Sequence, residues 1–191
     1  MRRHELMDLL VDVLVRQHRR IRGLVEEVRR AQRSSGRSRA VNRLLRYLSL
    51  HESAEQAVVH PAGIREVGDL AAVQDRIQEE HELAALVSRL EVCHPASIDF
   101  MIYFGLLDEA LDSHLSAEER IEAPALVADL AEETLRRMVA ALALVDEWDK
   151  AEPAGLRAPG GESTVGPRAA PRYDERLRLA QRAFERATVP G

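Results

Sequence analysis

The chain carries one stretch twice. His51-Glu52-Ser53-Ala54-Glu55, closed by Pro61-Ala62, returns as His114-Leu115-Ser116-Ala117-Glu118, closed by Pro124-Ala125. Each matched pair is 63 positions apart, and the same offset relates His18 to His81. Each half therefore reads as a His, then a His-x-x-x-Glu thirty-three residues later, then a Pro-Ala stop. So long a period in only two copies does not fit a solenoid, and points to a duplicated helical hairpin.

Composition agrees with helices. The 191 residues are 46% hydrophobic but only 4% aromatic, so the core must be built mostly of Leu, Val and Ala, as helix bundles are. The single Cys93 excludes an intramolecular disulfide framework and a cysteine-based zinc site, and reads as a small core residue. Leu6 to Val15 is apolar enough to suggest a signal segment, but Asp8 and Asp12 interrupt it and no small-residue cleavage site follows. No run of eighteen apolar residues occurs, so no membrane span is expected and the cytoplasm is the default compartment. The net charge of −5 hides a basic end: residues 1–46 hold thirteen Arg against five acids, +8. Without interleaved aromatics or a nucleic-acid motif, that end reads as solvated helix faces, and no nucleic acid is expected as a partner. Lys150 is the only lysine, a bias expected of a GC-rich bacterial genome.

In chain order, Leu6, Leu9, Leu10, Val13, Leu14, Ile21, Leu24, Val25 and Val28 keep the i, i+3/i+4 rhythm of an amphipathic helix from about His4 to Arg33, which Ser34-Ser35-Gly36 ends. A second helix runs from near Ser38 through Leu44, Leu48, His51 and Glu55 to Pro61, with a loop over 62–68. A third spans roughly Asp69 to Cys93 and holds Val73, Ile77, His81, Leu83, Ala84 and Leu90. A fourth spans about Ser97 to Glu122, and a fifth starts near Pro124 and reaches Trp148. Residues 1–150 form a helical bundle on this reading. A Pro/Gly-rich linker follows over 151–171, then a loosely attached short helix or tail over 172–191 that offers itself to a protein partner.

The chemistry lies in the repeat. Residues four apart share a helix face, so His51 and Glu55 point one way, as do His114 and Glu118. If the inward faces of four helices converge, His18, His51, His81 and His114 meet in one layer with both carboxylates a turn away. Four imidazoles and two carboxylates in a dry interior are badly unsatisfied unless something holds them. Two metal ions sharing both carboxylates would, and iron, manganese and zinc all suit imidazole–carboxylate donors. A lone His-x-x-x-Glu is commonplace and means a surface pair. Two in matching register, each preceded by a His at the same separation, are much harder to obtain by chance.

The pattern His18 … His51-x-x-x-Glu55 … His81 … His114-x-x-x-Glu118 resembles the hemerythrin-like (HHE cation-binding) family over most of residues 4–149. The resemblance implies an all-α fold: an antiparallel up-down four-helix bundle with an extra C-terminal helix, around a non-haem di-iron centre. It implies that Glu55 and Glu118 bridge two iron ions together with an oxo or hydroxo group. His18 and His51 would hold one iron, His81 and His114 the other, with manganese or zinc as the less favoured metals. Ferritin-like di-iron proteins would need Glu-x-x-His on two helices, which this site does not use. The oxygen-carrying members add a fifth His one turn beyond the third; here that position is Ala85, and one turn before His81 is Ile77. Open metal positions favour binding and reduction of oxygen or hydrogen peroxide, catalase-like or protective, over reversible carriage. A non-enzymatic iron or oxygen sensor read by a partner through residues 172–188 is the alternative. A plain bundle with vacant His and Glu is a third.

Other residues invite roles. Glu52, Glu80 and Glu119 adjoin the repeated positions and are candidates for a terminal ligand. Tyr47 is one turn before His51, where the second copy has Ala110; it reads equally as a donor to a metal-bound oxygen species, a redox-active phenol, or a core aromatic. Arg22, one turn after His18, either orients Glu55 or Glu118 or faces solvent. His60 reads as a helix-end residue, and His4 and His94 lie too far along their helices to join the site. Leu14, Leu44, Leu48, Ile77, Leu107 and Leu111 form the expected apolar lining.

Overall fold

A computed structural model describes residues 2–67, 70–122, 128, 130–151 and 172–188. Among these the protein is all-helical, with six helices and no strand. They are α1 (Arg3–Arg30), α2 (Ser34–Ala54), α3 (Leu70–Val92), α4 (Ile98–Ala117), α5 (Glu132–Lys150) and α6 (Tyr173–Thr188). Pro124 and the Pro/Gly-rich segment lie outside the described residues.

The apolar rhythm of α1 is buried as read, with Leu6, Leu10, Val13, Leu14, Ile21, Leu24, Val25 and Val28 facing inward and Leu9 only half-buried beside them. α1 packs against α2 across a short connection and against α5, while α3 packs against α4. Ser97 starts α4 as an N-cap, its Oγ accepting from the Phe100 N–H at 3.1 Å. α5 lays Leu135, Met138, Ala141, Leu142 and Val145 on the same core. Its first turn is capped from a distance, because Glu66 accepts from the Ala131 N–H at 3.0 Å and the Thr134 hydroxyl at 2.5 Å.

Several boundaries differ from the sequence reading. Ser34-Ser35-Gly36 begins α2 instead of ending α1, and α5 starts at Glu132. Pro61 does not stop the second helix: the chain stays helical to Val67 through a π-helical turn (Glu55–Val59), one α turn (His60–Ala62) and a second π-helical turn (Gly63–Val67). Pro61 fits because it sits at the start of that α turn, where its missing N–H costs least. A π-helical turn also begins at Glu118 and runs to Glu122. The duplication thus carries a distortion of the backbone as well as side chains, with a π turn opening at each repeated Glu. Such turns are rare overall and frequent at functional sites.

α6 is not loosely attached. It packs mainly on α2, burying Tyr173, Ala180 and Phe184. The Phe184 ring lies 4.3 Å from that of Trp148, the Ser53 hydroxyl donates to the Leu177 carbonyl at 3.1 Å, and the Tyr173 N–H donates to Glu91 at 2.9 Å. The strong amphipathicity of this short helix, with apolar residues spaced through Leu177, Ala180 and Phe184, is what makes such docking favourable.

Candidate metal centre

Five of the six repeated site residues come together in the core. His18, His51, Glu55, His114 and Glu118 are each at most 4% exposed. His18 comes from α1, His51 from α2 and His114 from α4, while Glu55 and Glu118 open their π-helical turns. The His18 and His51 rings meet edge-on, 5.1 Å between centroids. Glu118 spans two histidines: Oε2 lies 3.2 Å from Nε2 of His18, and Oε1 lies 3.2 Å from Nε2 of His114. Glu55 Oε1 lies 3.4 Å from Nε2 of His51.

The Nε2 atoms of all three histidines point inward without a hydrogen-bond partner, and each Nδ1 is held from behind. His18 Nδ1 meets Glu119 at 2.9 Å, and Glu119 accepts from Arg22 at 2.7 Å. His51 Nδ1 meets Gln17 Oε1 at 3.1 Å; because the Gln17 amide donates to the Leu142 carbonyl at 2.6 Å, its oxygen is the atom left to face the ring. His114 Nδ1 meets Glu79 at 2.9 Å, and Glu79 also pairs with Arg76. An acceptor behind each ring orients it with Nε2 towards the centre, the orientation that metal-binding imidazoles need.

Around these nitrogens lie buried oxygens that also lack hydrogen-bond partners: Oε1 and Oε2 of Glu52 and Oε2 of Glu118. Two groups of donors each converge within 4.8 Å, one of His18, His51, Glu55 and Glu118, the other of Glu52, Glu55 and His114. Glu55 belongs to both. Electrostatics agree with a site short of positive charge. Burial, then neighbouring His18, pushes His51 down to about 3, so its ring is neutral. Burial and then Glu80 hold Glu52 well above the usual carboxylate range. Burial opposes charge on His114, yet Glu118, Glu52 and Glu79 outweigh it and push the ring up to about 10. Burying this many unpaired polar atoms costs several kcal/mol without a compensating ligand, and cations fit the donor set.

His81 does not join them. It is exposed, and with Ile77 it lines a surface pocket of about 300 Å³ that also includes Gln56, His60 and Gln181. The buried stripe of α3 runs through Val73, Glu80, Leu83, Val87 and Leu90. Burying that stripe turns the helix by about one residue, roughly 100°, relative to the register in which His81 would face the core. The repeat would match Gln17 with Glu80, yet it is Glu79 that supports His114.

The remaining candidates find other tasks. Glu80 hydrogen-bonds with His60 and accepts from Gln56, so His60 is a buried hydrogen-bond partner and not merely a helix end. Glu119 and Arg22 position His18. Tyr47 is buried and donates to Asp146 at 2.7 Å, which commits its hydroxyl to α5; burial and that carboxylate push its pKa upward. Of the apolar lining, Leu14, Leu44, Leu48, Leu107 and Leu111 are buried. Gln17 and Glu79 were missed, though Gln17 carried a signal: it occupies a core position of the α1 stripe, between Leu14 and Ile21. A groove of about 470 Å³ between α1 and α4, lined by Ile21, Arg22, Val25, Gly105, Leu111 and Leu115 among others, runs beside this cluster. No described helix is long and apolar enough to cross a membrane.

A helical protein whose core gathers imidazoles and shared carboxylates around unmet donor atoms is a candidate metal-binding protein. The Hemerythrin HHE cation-binding domain matches residues 9–126, and the chain belongs to that family. No curated protein and no solved structure matches it.

Proposed function

We propose that this is a di-iron protein that binds or reduces oxygen or hydrogen peroxide in a catalase-like or protective role, with two hairpins forming an antiparallel four-helix arrangement around the centre. The observation that carries the reading is Glu118, with one oxygen at Nε2 of His18 and the other at Nε2 of His114. A carboxylate so placed, with Glu55 common to both donor groups, supports two metal positions sharing two bridges. His18 and His51 would serve one position and His114 the other. When bound, a redox-active metal pair supplies electrons one at a time and coordination positions for a small oxygen species.

The chain's own residues do the rest. Glu119, Gln17 and Glu79 hold the imidazoles at a fixed angle, with Nε2 towards the centre. Leu48, Leu107 and Leu111 keep bulk water from the centre. The groove between α1 and α4 offers a small ligand an approach past Arg22, whose partner Glu119 touches His18. The setting we propose is the cytoplasm.

One observation favours a sensor as second reading: Ser53, next to Glu52, hydrogen-bonds Leu177 of α6, so the helix that carries the candidate ligands also carries the C-terminal helix. Peroxide turnover with oxygen release by the iron-loaded protein supports the enzyme. Iron-dependent protection of α6 from hydrogen exchange, without turnover, supports the sensor.

A further inference from the structure

We propose that Glu52 is the terminal ligand of the second metal position, where the repeat would place His81. The inference rests on the di-metal reading above. Glu52 is 2% exposed, and neither of its oxygens has a hydrogen-bond partner. Its Oε1 lies 3.9 Å from Nε2 of His114, and its donors converge with those of His114 and Glu55.

The competing donors are spent. Glu79 holds His114 from behind and pairs with Arg76. Glu80 is taken by His60 and Gln56, and Glu119 by His18 and Arg22. His81 is exposed on the far side of the α3 stripe. Among the described residues around His114, Glu52 is the buried carboxylate with both oxygens uncommitted.

The two positions are then unequal. One has two imidazoles, His18 and His51, besides the shared carboxylates. The other has one imidazole, His114, and one carboxylate of its own, Glu52. The oxygen-rich position suits the harder ion of the two. The second copy of the repeat has Leu115 in place of Glu52, so the asymmetry is already written in the sequence.

The test is anaerobic loading of the full chain with ferrous iron, followed by metal analysis, for wild type, Glu52→Gln and His81→Ala. Wild type is expected to hold about two irons per chain, as a carboxylate-bridged bundle centre does. Glu52→Gln should fall to about one, and His81→Ala should keep about two. Loss of iron from His81→Ala, or retention of both by Glu52→Gln, overturns the assignment while leaving the di-metal reading intact. A wild type that takes up no iron refutes the di-metal reading itself. Metal-free Glu52→Gln should melt no lower than metal-free wild type, because it removes an orphaned buried acid; a lower melting temperature makes Glu52 structural and also overturns the assignment.

Discussion

Gln17 and His51 are joined across two helices, Oε1 to Nδ1 at 3.1 Å, and the amide is locked in turn by the Leu142 carbonyl of α5. This fully buried chain links three helices and fixes which nitrogen of His51 faces the centre. Gln17→Leu strips that acceptor and leaves a buried N–H unmet. Iron affinity should fall about 10–100-fold, as when partners behind metal-binding histidines are removed. Competition against a chelator of known affinity measures it, and an unchanged affinity would show that His51 needs no such support.

Phe184 tests how firmly α6 belongs to the body. It is fully buried against Trp148, the only tryptophan. Phe184→Ala should cost about 3–5 kcal/mol in urea unfolding and shift the Trp148 emission. A cost near zero would restore the picture of a loosely attached tail.

Glu66 gives a pH signature away from the centre. The Thr134 hydroxyl and the Ala131 N–H hold its carboxyl below the ordinary value of 4.5. Its folded pKa is lowered, so its stabilisation is full above the unfolded value and disappears as pH falls through the folded one. At neutral pH Glu66→Gln should lose about 0.3–1 kcal/mol, the worth of an anion at a helix start. The gap to wild type should close in acid below that window. A difference independent of pH would mean the charge contributes nothing.

Gly23 sits exposed within α1, and a methyl there would meet no atom within 4 Å. Gly23→Ala should therefore stabilise the protein by about 0.5–1 kcal/mol, since glycine forfeits more backbone freedom on folding. Chemical denaturation measures this, and destabilisation would contradict a regular, uncrowded helix at that point.

Much of the centre was legible because duplication constrains pairs. His51 with Glu55 and His114 with Glu118 share faces by helical geometry alone, and His18 lies on an unambiguous apolar stripe. α3 was harder. Beyond Val73 its sequence offers two stripes one residue apart, Ile77-His81-Ala84 and Glu80-Leu83-Val87-Leu90, and packing against α4 and α6 buries the second. Periodicity within one helix does not reveal which stripe its neighbours will cover. The π-helical turns were equally hidden, since local composition carries no mark of an i→i+5 hydrogen bond. Gln17, Glu79 and Glu119 act across helices, so spacing along the chain could not assign them.

Metal content with an optical spectrum, on purified wild type and His51→Ala, probes the central claim most directly. The account predicts about two irons per chain in wild type, with absorption bands from the paired metals, and loss of both signals in a mutant that still folds to the same helical content. Absence of iron from wild type, with His51→Ala equally stable and helical, would contradict it and leave the repeated His and Glu as scaffold.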